Sequence, residues 1–266
     1  MSNPKITIVT VCYNSELTIV NTIESIVKQD YDNFEYVIVD GNSTDRTMEI
    51  VKKYENQYPF IIAISEPDNG IADAFNKGIR MATGELIALI NSDDALAEGA
   101  LQLVAETYDR TNADVIYGDT IVIDKKNGLR MIKKGGDVER IKYEMPFIHQ
   151  SCHVKKSAYD MWGGYNSEYK ICMDYDLIAR LYANGCKFAY ADGVLSVFSY
   201  GGTSCEHPFR TINENFLIAR KHGLTLIEEI PYRTIITVRN LFKIILEKLG
   251  LWGKLSLSIK KDNLVQ

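Results

Sequence analysis

Residues 65–94 read SEPDNGIADAFNKGIRMATGELIALINSDD. The stretch predicts a loop, a helix over Ile71–Met81 closed by Gly84, and a strand over Leu86–Ile90. Leu-Ile-Ala-Leu-Ile is an unbroken apolar run, which marks a central strand covered on both faces. The strand runs out into two adjacent carboxylates, Asp93 and Asp94. In open α/β sheets, ligands sit beyond the carboxyl ends of such strands. The pair stands where a ligand or a metal would be, although two aspartates can equally cap the helix that follows.

Working outward, Lys5–Val11 and Phe34–Val39 are predicted strands, rich in β-branched residues. Between them Asn14 and Ser15 offer an N-cap to a helix over Glu16–Lys28. The second strand ends at Asp40, and Ser43 or Thr44 can cap a helix starting near Asp45. Phe60–Ser65 is a third strand and Glu98–Asn112 a fourth helix. This βαβαβαβα order predicts an α/β fold, with a mainly parallel central sheet and helices on both faces.

The pattern then changes. Val115–Val122 and Leu129–Lys133 flank Lys-Lys-Asn-Gly, a hairpin signal. Helices follow near Lys156–Trp162 and Asp174–Asn184, then a strand-like run over Lys187–Ser199 and a Gly-Gly-Thr-Ser loop at 201–204. The first half has the form of a nucleotide-binding unit, and the mixed second half builds the other wall of a cleft. Residues 1–230 are read as one domain, and 231–266 as a basic amphipathic helical extension. Tyr232–Lys261 carries seven bases and one acid, a net charge of about +6, against about −11 for the rest of the chain. Its apolar positions include Ile235, Leu241, Phe242, Ile245 and Trp252. Such a segment either lies on an anionic membrane surface or docks on the domain with a solvated basic face.

Composition narrows the function. A 266-residue chain that is 46% hydrophobic and 24% charged can bury a large core. The net charge of −5 gives no support to nucleic-acid binding. No signal-peptide pattern opens the sequence, and no apolar run reaches the roughly 18 residues of a membrane span. A cytoplasmic location, or the inner face of the membrane, is expected. The five cysteines are scattered without a CxxC pair, as reduced buried thiols would be. His149, Cys152 and His153 lack a fourth partner for a structural zinc.

The first strand is followed by neither GxGxxG nor GxxxxGK[ST], which disfavours dinucleotide dehydrogenases and P-loop enzymes. A sugar nucleotidyltransferase would need a glycine-rich basic loop there, and Cys-Tyr-Asn-Ser supplies none. Without a glycine cradle, a diphosphate needs another counter-charge. Asp93 can provide it by holding Mn²⁺ or Mg²⁺, which commonly take one or two protein carboxylates and complete their shells with phosphate and water. Asp40 can accept from a base or ribose, or serve as a turn residue. Asp174 and Asp176 either decorate a helix N-terminus or include a general base.

VTVCYNSELTIVNTIESI, VIVDGNSTDRT, EPDNGIADAFNKGI, ATGELIALINSDD, HQS and MDYDL, in this order over roughly residues 5–205, resemble the family 2 glycosyltransferases of bacterial surface-polysaccharide assembly, which have the GT-A fold. The resemblance implies inverting transfer of a sugar from a nucleoside diphosphate, usually UDP, to a hydroxyl of a glycan or lipid-linked acceptor. It places Asp40 at the nucleotide base, Asp68 beside the nucleotide and Asn91 near the ribose. Asp93 would hold the metal and Asp174 would be the base. His149 and Gln150 would line the acceptor side, and Gly163, Gly164 and Tyr165 would border the donor sugar. Two departures stand out. Asn91 replaces the first aspartate of the family's Asp-x-Asp motif. Phe75 replaces an arginine that many members direct at the diphosphate, which leaves Lys77 as the nearby cation. These departures keep open an inactive nucleotide-binding partner protein as the alternative.

Overall fold

The computed structural model describes residues 3–124, 128–201 and 207–248, without the side chains at 239, 240, 243, 244, 247 and 248. Strands β1 (Ile6–Cys12), β2 (Phe34–Asp40), β3 (Ile61–Ser65) and β4 (Leu86–Asn91) run parallel. Helices α1 (Ile19–Val27), α2 (Thr47–Gln57) and α3 (Ile71–Met81) connect them. A short strand β5 (Ala95–Leu96) and helix α4 (Ala100–Thr111) follow. The second half contains β6 (Val115–Asp124), β7 (Leu129–Lys133), β8 (His153–Lys155), α5 (Lys156–Trp162), α6 (Met173–Ala183), β9 (Phe188–Tyr200), α7 (Pro208–Lys221) and α8 (Leu226–Lys248).

One mixed sheet runs β3-β2-β1-β4-β8-β6-β9-β5, with β7 paired antiparallel to β6. The apolar run in β4 divides by alternation, because successive strand residues face opposite sides. Leu86 and Ile90 join one buried cluster with Ile6, Ile8 and Ile38, while Ile87 and Leu89 join the other with Val9, Val11, Val37 and Val39. The chain steps from β1 outward to β3, then returns to lay β4 on the other side of β1. That reversal is the topological switch point, and it opens a crevice at the carboxyl ends of β1 and β4.

Several boundaries differ from those the sequence suggests. Asn14 does not cap α1. It sits in the left-handed region at φ 49° and its side-chain oxygen accepts from Thr44 N–H at 2.9 Å, so the helix begins only at Ile19. Asp45 Oδ1 accepts from Thr47 N–H at 2.9 Å as α2 opens. Gly84 serves close approach rather than helix closure, since a Cβ there would lie 2.6 Å from the Thr7 nitrogen. The hairpin forms as expected, although turn residues 125–127 lie outside the described residues.

At the C-terminus, α8 begins at Leu226, ahead of the boundary expected at 231, and carries Pro231 internally. Its early turns are tied to the domain. Glu229 pairs with Arg220 at 2.9 Å and with Arg233 at 3.2 Å, and Tyr232 Oη donates to Glu144 at 2.5 Å. Ile227, Ile230, Val238, Leu241, Phe242 and Ile245 are nevertheless exposed. Residues 249–266, including Trp252 and the last three lysines, lie outside the described residues, as do 202–206. No helix among the described residues is long and apolar enough to cross a membrane.

Candidate active site

A cavity of about 810 Å³ opens at the switch point. The first half contributes Tyr13, Asp68, Asn91 and Asp93, and the second half His149, Tyr165 and Asp174. Residues predicted from distant motifs thus meet at one place.

The end of β4 separates two adjacent aspartates. Asp93 is exposed to the cavity, and its backbone carbonyl accepts from Ser199 Oγ at 2.7 Å. Asp94 turns inward and is 3% exposed. It accepts from Gln150 Nε2 at 2.7 Å, Ser199 N–H at 2.8 Å and Asn91 Nδ2 at 3.2 Å. Burial first, then the charge of Asp93, pushes the Asp94 carboxyl up to about 7. Asn91 Oδ1 is buried with no hydrogen-bond partner. An acceptor in that state is a place for a donor or a cation from a ligand.

No group of three or more His, Cys, Asp or Glu among the described residues could cage a metal ion. The residues present fit a different arrangement, in which a hard cation is shared between one protein carboxylate and the oxygens of a phosphate ligand.

The opposite wall is built at the start of α6. Asp174 and Asp176 are two residues apart, so the helix turns them to different faces. Asp174 lines the cavity, with Oδ1 accepting from Tyr175 N–H at 2.8 Å. Asp176 is fully buried and paired with Arg180 at 3.3 Å and Lys221 at 3.2 Å. The loop entering α6 is held from α7. Glu214 accepts from the backbone N–H groups of Lys170, Ile171 and Cys172 at 3.2, 2.9 and 3.0 Å. Glu214 carries no local motif, and its role arises only from tertiary packing.

Between these walls, His149 Nε2 and Tyr165 Oη lie 2.8 Å apart. Burial holds the imidazole below its ordinary pKa, which keeps it neutral. Phe75 packs against both rings, at 5.2 Å from Tyr165 and 5.6 Å from His149. Asn76, the next residue, clamps the Tyr165 backbone, donating to its carbonyl at 2.9 Å and accepting from its N–H at 2.8 Å. The FNKG segment therefore supports an aromatic floor.

Three expected site residues lie off the cavity lining, and a fourth, Gln150, lines it with its amide engaged elsewhere. Lys77 does not line the cavity. Its ammonium is held by the Pro67 carbonyl at 2.7 Å and Glu66 at 2.9 Å, so it braces the 65–70 loop. Gln150 reaches the cavity edge, but its amide is engaged by buried Asp94, which makes it a positioning residue. Gly164 lies behind Tyr165. Its carbonyl accepts from Arg180 at 2.7 Å, and a Cβ would fall 2.2 Å from Asn76 Oδ1. Asp40 is fully buried below the crevice, where it accepts from Ser65 Oγ at 2.6 Å, from Ser43 N–H at 2.9 Å and from Ser43 Oγ. The structure also brings in two cations that the motifs did not flag, Lys133 and Lys170.

A family model described as Glycosyl transferase family 2 matches residues 7–177. The chain belongs to that family. Transfer of a glycosyl group is the chemistry that membership assigns. A family relative, the PGL/p-HBAD biosynthesis glycosyltransferase of Mycobacterium bovis (strain BCG / Pasteur 1173P2), is 29% identical over 189 residues, covering 69% of this chain and 72% of its own. Among solved structures, S. aureus TarS 1-349 in complex with UDP-GlcNAc superposes with a TM-score of 0.67 at 21% identity, covering 93% of this chain and 78% of that one. The mannosyltransferase PcManGT from Pyrobaculum calidifontis, in complex with GDP-Man and Mn²⁺, gives 0.64 at 19% identity, covering 98% and 76%. Both likenesses establish the GT-A fold of this family 2 chain.

Proposed function

We propose that this family 2 enzyme is an inverting glycosyltransferase that moves a sugar from a UDP-sugar to a hydroxyl of a glycan or lipid-linked acceptor. The observation that carries the reading is that Asp93 and Asp174, from opposite halves of the chain, line one cavity at the switch point. Asp68 borders the nucleotide. The unpaired Asn91 Oδ1 accepts from a ribose hydroxyl. Asp40 meets the base if the Ser43 hydroxyl yields its place on the carboxylate. Asp93 would hold Mn²⁺ or Mg²⁺, which as a Lewis acid stabilises charge on the departing diphosphate.

Asp174 accepts the proton of the acceptor hydroxyl, whose oxygen attacks the anomeric carbon on the face opposite the leaving group. The new bond forms as the bond to the diphosphate breaks, with inversion and no covalent enzyme intermediate. The neutral His149–Tyr165 pair and the ring of Phe75 shape the floor on which the sugar rests. The exposed apolar stripe of α8, in a segment rich in bases, favours peripheral contact with an anionic membrane, as a lipid-linked acceptor at the cytoplasmic face would require.

Calorimetric titration of UDP, with and without Mn²⁺, tests the donor site on wild type and Asp93→Ala. Metal-dependent binding lost in the variant is expected. Binding of GDP in place of UDP would change the donor, and binding of neither would overturn the reading.

A further inference from the structure

Among the described residues, lysine ammonium groups are paired with notable regularity. Lys5, Lys28, Lys52, Lys53, Lys134 and Lys142 are each bound to a carboxylate. Every other lysine whose side chain is described also has a hydrogen-bond or ion-pair partner, except Lys133 and Lys170. Both exceptions line the same cavity. Lys133 ends β7, and Lys170 lies in the loop four residues ahead of Asp174. Lys133 is open to cavity water, yet surrounded closely enough that desolvation lowers its pKa while the charges of Glu144 and Asp174 oppose the shift.

Both side chains are solvent-exposed, and two ammonium groups that line one cavity without a protein partner are free to take up the charge of an anionic ligand. Their placement says which ligand. Both belong to the wall that carries the base, whereas Asp68, Asn91 and Asp93 come from the first half of the chain. We infer that Lys133 and Lys170 form an anion subsite beside Asp174, and that the acceptor carries a phosphate close to the hydroxyl it presents. The inference rests on the glycosyltransferase reading of this cavity and adds the chemical class of the acceptor. Glu144 and Asp174 both act on Lys133 without a direct ion pair, and a phosphate held by the two ammonium groups would keep the hydroxyl near the Asp174 carboxylate. The phosphate could belong to a polyol-phosphate chain or to a lipid headgroup, which share this chemistry.

The test uses the full chain saturated with UDP and Mn²⁺, so that the donor phosphate positions are filled. Glycerol 3-phosphate, with glycerol as the neutral control, is titrated by NMR into wild type, Lys133→Met, Lys170→Met and Lys133→Arg. Binding of glycerol 3-phosphate but not glycerol is expected, weakened about tenfold by each methionine, the size of a lost charge-assisted hydrogen bond, and restored by arginine. UDP affinity should stay within about twofold of wild type in every variant, since a lost contact of ordinary strength would exceed that. Geranyl phosphate binding more tightly than glycerol 3-phosphate would support a lipid-borne phosphate, and equal binding a polyol-phosphate chain. Equal glycerol 3-phosphate affinity in wild type and the methionine variants, or no binding to wild type, would overturn the subsite alone. A fall in UDP affinity matching the loss would reassign the lysines to the donor diphosphate. Failure of wild type to bind UDP at all would remove the underlying reading, and the subsite with it.

Discussion

The side-chain amide of Gln150 donates to Asp94 Oδ2 across 2.7 Å, and the two residues are 4% and 3% exposed. This contact fixes the strand end that aims Asp93 at the cavity. Gln150→Leu leaves a buried carboxyl short of a donor, a loss of about 1–3 kcal/mol. Thermal unfolding should show a lower Tm, and calorimetry a weaker Mn²⁺-dependent UDP affinity. An unchanged Tm would remove the positioning role.

Asp174→Asn keeps the shape of the proposed base while removing its proton affinity. Turnover should fall by about a hundredfold or more, the ordinary contribution of a general base. UDP affinity should not change, because Asp174 and Asp93 sit on different walls. Steady-state kinetics beside UDP titration separates the two effects, and retention of turnover would exclude Asp174 as the base.

Gly164→Ala places a methyl 2.2 Å from Asn76 Oδ1, which is itself pinned by the Tyr165 N–H. Relief requires breaking the clamp on Tyr165. The substitution should cost about 1–3 kcal/mol, as overpacking does, and reduce turnover through the displaced tyrosine. A variant with wild-type Tm and kcat would show that the clamp can yield.

His153 is fully buried in β8, with neither ring nitrogen hydrogen-bonded, and burial holds its pKa at about 4. The unfolded chain protonates this histidine at an ordinary pKa of about 6.5, so the unfolded state binds more protons between the two values. Its contribution is complete above about pH 6.5 and is lost as pH falls through about 4, reaching about 3 kcal/mol. Burial also lowers the pKa of His149 and His222, which adds to the same window. Denaturant unfolding from pH 7 to 4 should give a shallower slope in His153→Leu than in wild type, and identical slopes would contradict this account.

The exposed stripe of α8 gives a membrane prediction. Wild type should co-sediment with vesicles containing phosphatidylglycerol and much less with neutral phosphatidylcholine. Ile230→Glu combined with Phe242→Glu, both at exposed positions, should leave the protein in the supernatant. Equal recovery of the two proteins would place the stripe in another role.

The sequence was most informative where one physical pattern dominated. An apolar run of five residues could only be a strand with two covered faces, and the carboxyl end of that strand located the crevice. The positions of Asp93 and Asp174 on the cavity were legible because short motifs carried them to predictable element ends. Lys77 was misread because helical spacing does not say which way a long side chain turns, and Glu66 and the Pro67 carbonyl hold it outside. Gln150 lies in a readable motif, yet its partner is 56 residues away. Glu214, Lys133 and Lys170 left no signal, since their roles arise from pairings, or missing pairings, that only the folded chain creates.

The three N–H groups that Glu214 holds have a consequence for divergence within the family. The family match ends at residue 177, while Glu214 lies beyond it, on a helix whose Arg220 is joined to α8 through Glu229. The loop bearing Lys170, and with it the approach to Asp174, is therefore shaped by a part of the chain that the donor-side motifs do not constrain. Substitutions in α7 and α8 can reshape what reaches Asp174 while leaving the first half of the chain untouched. If Asp174 is the base, relatives that agree over residues 7–177 are expected to differ in acceptor through this region, and a hybrid with α7 and α8 exchanged together should show altered acceptor choice in a transfer assay.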